Sequence, residues 1–132
     1  MFVKRRDTSV VTRSYSSKRF ARWKIRFGMM LPHPTFYARR ELFARFGYYK
    51  LNFRVSVDFE LMTRFICSGV QLLRHPIVMV KMREGGISTT GFRWRVHQNM
   101  EIVRACRENG IYTNLFIVAL KLPFKLASLV LK

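Results

Sequence analysis

Asp58 and Glu60 are the first residues in this chain with the chemistry of a catalytic site. They are the only carboxylates between Glu41 and Glu84, and they sit in a strongly cationic chain. A carboxylate among cations stays ionised and can take a proton near neutral pH. Two residues apart on a helix, however, the pair points in different directions, so they make a poor general acid and base couple. A structural reading of the same residues is simpler: Asp58 as a helix-start carboxylate, and Glu60 paired with Arg64 at i, i+4.

His33 stands between Pro32 and Pro34. The prolines restrict its backbone and lower the entropy cost of holding it in place, which suits a site residue. His75 and His97 have no carboxylate or cysteine at ligand spacing and read as surface or packing residues. The third candidate is the loop Gly85-Gly86-Ile87-Ser88-Thr89-Thr90-Gly91, whose glycines would let backbone N–H groups approach an anion. It is neither a phosphate-binding Walker loop nor a dinucleotide fingerprint, because the glycine spacing differs and no Gly-Lys-Ser/Thr follows. Two cysteines, Cys67 and Cys106, lie far apart, and neither belongs to a CxxC pair. Both read as buried free thiols of a reducing compartment, and no metal site is expected.

These residues must be positioned by something, and the pattern alternates strands and helices, an α/β or α+β class. Residues 8 to 16, alternating around Val10, Val11 and Tyr15, read as a strand or an extended segment. Residues 17 to 27, with Lys18, Arg19, Phe20, Arg22, Trp23, Lys24, Arg26 and Phe27, read as a short helix or a mobile basic loop. The prolines around His33 predict extended backbone leading to a strand at Thr35-Phe36-Tyr37. Arg39 to Phe46 reads as a helix stopped by Gly47. A second helix starts at Ser56, a candidate N-cap, and ends at Gly69. Residues 70 to 82 are β-rich, with Pro76 marking an edge or break. Phe92 to Glu108 reads as a helix with Val96, Met100, Val103 and Cys106 on one face. A last helix is capped by Thr113 or Asn114 and bent near Pro123.

The chain has 132 residues, with 25 Lys and Arg against 7 Asp and Glu, a net charge of +18. Its length fits a single domain, 1–132, and half of it is apolar, enough for a core. Such a field attracts polyanions, anionic lipid head groups or nucleotide phosphates. The segment 18 to 27 could contact phosphates and stack on bases, but no helix-turn-helix, zinc finger or RNP-type motif supports specific nucleic-acid recognition. The C-terminal stretch 115 to 131 is apolar apart from Lys121, Lys125 and Ser128, the pattern of an interfacial helix or of one packed on the core. The N-terminus has no secretory h-region, and no run is long and apolar enough for a membrane span. A cytoplasmic protein is expected, peripheral at the inner face of the plasma membrane if the basic strips meet lipid.

Taken in order, the motifs resemble bacterial family-2 glycosyltransferases of cell-surface polysaccharide biosynthesis. The likeness runs through Gly28-Met29-Met30-Leu31-Pro32-His33-Pro34-Thr35-Phe36-Tyr37, then Arg39-Arg40-Glu41-Leu42-Phe43 and Phe46-Gly47-Tyr48. It continues in Arg54-Val55-Ser56-Val57-Asp58-Phe59-Glu60-Leu61 with Arg64-Phe65, in Val80 to Ser88, in Asn99-Met100-Glu101 and in Asn109 to Asn114. The resemblance implies the acceptor-side half of a glycosyltransferase A fold, Rossmann-like, with residues 1–91 as α/β core and 92–132 as a helical extension. It implies inverting sugar transfer from a nucleotide-sugar donor to a glycan or lipid-linked acceptor. Asp58 takes the place of the family's base, with Val57 where many members have Glu. His33, Thr35, Glu60, Arg64, Gly85, Gly86 and Ser88 would line the substrate side. The complete enzyme would use Mg²⁺ or Mn²⁺ held by an Asp-x-Asp motif, which this chain lacks. The expectation is therefore a chain inactive alone, its nucleotide-binding N-terminal half missing or supplied separately. The alternative is a small basic protein that binds nucleic acid or an anionic membrane without catalysis.

Overall fold

Two amphipathic helices packed on each other form the frame, in a computed structural model that describes residues 2–4, 7, 9–83 and 91–121. In chain order the strands are β1 (Phe2–Val3), β2 (Val11–Arg13) and β3 (Met82–Arg83). The α-helices are α1 (Arg40–Phe46), α2 (Val57–Cys67), α3 (Phe92–Glu108) and α4 (Leu115–Ala119). Three 3₁₀ turns, Ser17–Arg19, Arg22–Phe27 and His33–Thr35, fill the first third.

The core lies between α2 and α3. Phe59 and Ile66 of α2 meet Ile102, Val103, Ala105 and Cys106 of α3, with Ile25, Phe53 and Val118 closing the ends. Burying each such aliphatic or aromatic side chain contributes about 1.5–3 kcal/mol. Helix α3 supplies four of the nine residues of this core cluster. On the far side of α2, Phe65 stacks edge-on to Phe43 at 5.3 Å and tilts against Phe46 at 6.1 Å, which docks the short α1. Gly28 is required where the 22–27 turn meets α3. Its φ is +69°, and an added Cβ would lie 3.1 Å from Ile102 Cγ2.

Several expectations hold. Helix α3 has the predicted bounds, α1 begins one residue later than predicted, and Asn114 caps α4 by accepting the Ile117 N–H at 2.9 Å. The basic segment 17 to 27 is two 3₁₀ turns, not a mobile loop. Ile25 enters the core, and the Arg22 guanidinium donates to the carbonyl of Ile66 at the end of α2.

Others do not. The expected strand at Thr35–Tyr37 is absent. The N–H groups of Thr35 and Phe36 donate to the carbonyls of Pro32 and His33, each at 3.0 Å, and turn the chain instead. Pro34 fits, because the first turn of a helix needs no N–H there. Of the β-rich run 70 to 82 only Met82 pairs. Residues 71–79 lie exposed outside any strand, since β propensity without a partner edge makes no ladder. The strands join in the order β2-β1-β3, antiparallel then parallel, each two or three residues long. The described residues therefore form a mixed, predominantly helical fold without a Rossmann-like parallel sheet. None of their helices is long and apolar enough to cross a membrane.

Candidate functional site

The N-terminus of α2 is built from the neighbouring helix. Glu101 of α3 turns its carboxylate onto three successive backbone N–H groups, those of Arg54 (2.7 Å), Val55 (2.8 Å) and Ser56 (2.7 Å). Ser56 is the N-cap residue, as its type suggests, but its side chain bonds no N–H of the first turn; its hydroxyl donates to the carbonyl of Gln98 at 3.3 Å. Burial by itself would push the Glu101 carboxyl up. The N–H donors of Arg54, Ser56 and Val55, with the charge of His97, override that and hold it below the usual glutamate range.

This start places Asp58 in the first turn of α2, where the helix dipole favours its charge. Its side chain is 41% exposed, and Oδ2 lies 3.5 Å from His33 Nε2, itself on a side chain 60% exposed. The two residues are 25 positions apart in sequence, and the fold brings them together at the surface. An exposed ion pair of this length adds little stability. What it offers is a carboxylate open to a ligand with an imidazole at its edge, able to accept a proton from a hydroxyl.

Glu60 is different. Its side chain has no exposed surface, and its oxygens are taken by Lys50 Nζ at 3.0 Å and by Arg64 Nε and Nη2, each at 3.0 Å. Burial raises its carboxyl, and the hydrogen bonds and charges of Arg64 and Lys50 more than reverse this. Arg64 also donates to the carbonyls of Phe46, Gly47 (2.9 Å) and Tyr48 (2.8 Å). Glu60 and Arg64 together form a brace that ties the end of α1 to α2. Lys50 extends the brace to Glu108 at 2.8 Å, and Arg104 meets the other Glu108 oxygen at 2.7 Å. Thr35 shares a turn with His33, but its hydroxyl donates to the Pro32 carbonyl at 2.9 Å and closes that turn. Gly85, Gly86 and Ser88 lie outside the described residues, as do the 84–90 loop, the bend at Pro123 and the stretch 122–132.

His97 also requires correction, since its Nε2 lies 3.2 Å from Glu101 Oε1. The i, i+4 spacing was the available signal for that pair; nothing in sequence pointed from Glu101 to residues 54–56. Cys106 is buried as expected, its thiol pushed up to about 12 by desolvation and, secondarily, by Cys67. Cys67 is exposed, contrary to expectation, because it ends α2 on the side facing solvent. It edges a groove of about 550 Å³ with Arg22, Trp23, Arg26 and Tyr112.

Among the described residues no three His, Cys, Asp or Glu side chains group to hold a metal. One carboxylate beside a histidine does not supply the oxygen set that a divalent cation on a diphosphate needs, so no chemistry is routed through a metal here. No protein-family model, curated protein or solved structure matches the chain.

Proposed function

We propose that this chain is the acceptor-side part of an inverting glycosyltransferase of the family-2 type, with Asp58 as its base and His33 as the group that orients it. The observation that carries the reading is the His33–Asp58 contact, made across 25 positions and open to solvent. The order of motifs from Pro32 through Asp58 supplies the chemistry by resemblance. In the reaction, Asp58 takes the proton of the acceptor hydroxyl as its oxygen attacks the anomeric carbon. The bond from that carbon to the nucleotide diphosphate breaks on the opposite face, its electron pair leaves with the diphosphate, and the configuration inverts. The His33 imidazole at Oδ2 holds the carboxylate in line.

The leaving diphosphate needs positive charge and, in the complete enzyme, Mg²⁺ or Mn²⁺ held by residues outside this chain. A partner segment bearing Asp-x-Asp would complete the site, and the acceptor would be a glycan or a lipid-linked glycan at the inner face of the membrane. The test is to co-express the chain with a separate nucleotide-binding half of a family-2-type glycosyltransferase that bears Asp-x-Asp and to follow transfer of a labelled sugar. Asp58→Asn should lower kcat by about 10²–10⁴-fold while the donor KM holds, the usual range for a lost general base. Normal turnover by Asp58→Asn, or metal-dependent transfer by the isolated chain, would sink the reading.

A second reading, a basic protein that binds an anionic surface without catalysis, is favoured by the +18 charge and by exposed apolar side chains set among arginines.

A further inference from the structure

We infer that the N-terminal half of α3 is a docking face for an anionic lipid surface. The helix changes character at Glu101. Beyond it, Ile102, Val103, Ala105 and Cys106 enter the core. Before it, Phe92, Val96 and Met100 face solvent, 82%, 40% and 55% exposed. Their i, i+4, i+8 spacing stacks them on one side of the helix as a ridge about 12 Å long. Arg93 and His97 run beside that ridge, and the five side chains line a shallow groove of about 490 Å³.

Charge decides what can cover the ridge. The first turn of α3 has no acidic residue. Over residues 91–100 the chain carries Arg93 and Arg95 and no acid. A bulky apolar ridge flanked by arginines is the pattern of a helix lying in a membrane interface. The apolar side chains enter the acyl boundary while the long cationic ones reach back to the phosphates. Anionic head groups complement the net charge of +18, and the polybasic attraction adds to the small apolar area. Nucleic acid fits less well: Phe92 and Trp94 could each stack on a base, but Val96 and Met100 offer a base no ring, and only an acyl boundary uses all three ridge side chains. Three side chains are also too few for the core of a stable protein interface. The inference goes beyond the glycosyl-transfer reading and does not depend on it.

The experiment is flotation of the full chain with vesicles of phosphatidylcholine alone and of phosphatidylcholine with phosphatidylglycerol, at low and high salt. The wild type should float with the anionic vesicles only, less so at high salt. Phe92→Ser with Met100→Ser, at exposed positions, should lower partitioning by about tenfold or more through lost apolar burial. Arg93→Gln with Arg95→Gln should lower it comparably at low salt. Circular dichroism melts of both double variants should match the wild type, and the apolar variant should still shift a DNA duplex as the wild type does. No flotation of the wild type, unchanged partitioning of the apolar variant, or equal binding to neutral vesicles would overturn the inference.

Discussion

Replacing Glu101 by glutamine tests the joint on which α2 depends. The native carboxylate accepts three N–H groups within 2.7–2.8 Å, one on Oε1 and two on Oε2. Glutamine has the same shape but one oxygen. In its better orientation it keeps Val55 and Ser56 and turns an NH₂ toward the Arg54 N–H, donor against donor. Hydrogen bonds to a charged group contribute about 1.5–3 kcal/mol, and a buried donor left without a partner costs about 1–3 kcal/mol. Arg54 is exposed, so water recovers part of the loss. The expected destabilisation is about 2 kcal/mol for Glu101→Gln and about 3–5 kcal/mol for Glu101→Ala, which removes all three bonds and leaves the donors unmet. For a chain of this length, 2 kcal/mol corresponds to a Tm lower by roughly 6–10 °C.

The pH dependence is the sharper readout. The folded Glu101 carboxyl lies below its ordinary value, so its stabilisation is fully present above the unfolded glutamate pKa. It is lost as pH falls through the folded pKa. The gap between wild type and Glu101→Gln should therefore be full at pH 7, narrow as the pH falls below the ordinary glutamate range, and close only once the folded carboxyl is itself protonated. Calorimetric melts of both proteins across that range measure it, with amide exchange at Ser56 as a local probe. A glutamine variant within about 0.5 kcal/mol of wild type at pH 7, or a gap that ignores pH, would refute the capping account; ordinary surface substitutions fall in that range.

Arg64→Lys should cost about 2–4 kcal/mol in urea unfolding, because a point-charge ammonium cannot span Glu60 and three carbonyls as the planar guanidinium does; stability like wild type would dismiss the brace. Gly28→Ala should cost about 1–2 kcal/mol in the same assay, from the left-handed backbone and the approach to Ile102, and a neutral result would mean the turn can move away from α3. A thiol reagent at pH 7 should modify Cys67 in the native chain and Cys106 only on unfolding, which mass spectrometry reads directly; modification of both at one rate would contradict the burial of Cys106.

The elements legible in sequence were those with strong local signals. Helix α3 has apolar periodicity ending at Asn109-Gly110, and α1 ends at Gly47; both were read within a residue of their observed bounds. What failed depended on partners. Residues 70 to 82 have β-branched composition, but β1 offers an edge only to Met82 and Arg83. Val96 and Met100 share an apolar period with Val103 and Cys106, yet the core stops short of them. Periodicity reports a face and is silent on whether anything covers it. The clasp ahead of α2 was missed for the same reason. Ser56 stands at the N-cap as its type predicts, but the N–H groups of residues 54–56, just before the helix, are held by a carboxylate 45 positions after Ser56 that no local pattern announces.

Of the proposed site, Asp58 and His33 were named from sequence, but their proximity was not derivable. The prolines suggested that His33 is held, not where. The substrate side on which the resemblance sets Glu60 and Arg64 is a separate expectation; the two form the i, i+4 ion pair that their spacing predicts. That outcome follows from helix geometry. A step of two residues turns about 200° around the axis. On a helix with one face in the core, carboxylates at i and i+2 cannot both face solvent. Asp58 faces out, open to water at the helix start, whereas Glu60 faces in and keeps its charge only through Lys50 and Arg64. The buried pair, joined to the α1 carbonyls, and the Glu101 clasp together fix where α2 begins and how it is rotated. Those two variables place Asp58 at His33. Any proton transfer by Asp58 would thus depend on Glu60 and Glu101 for geometry, although neither would touch a substrate.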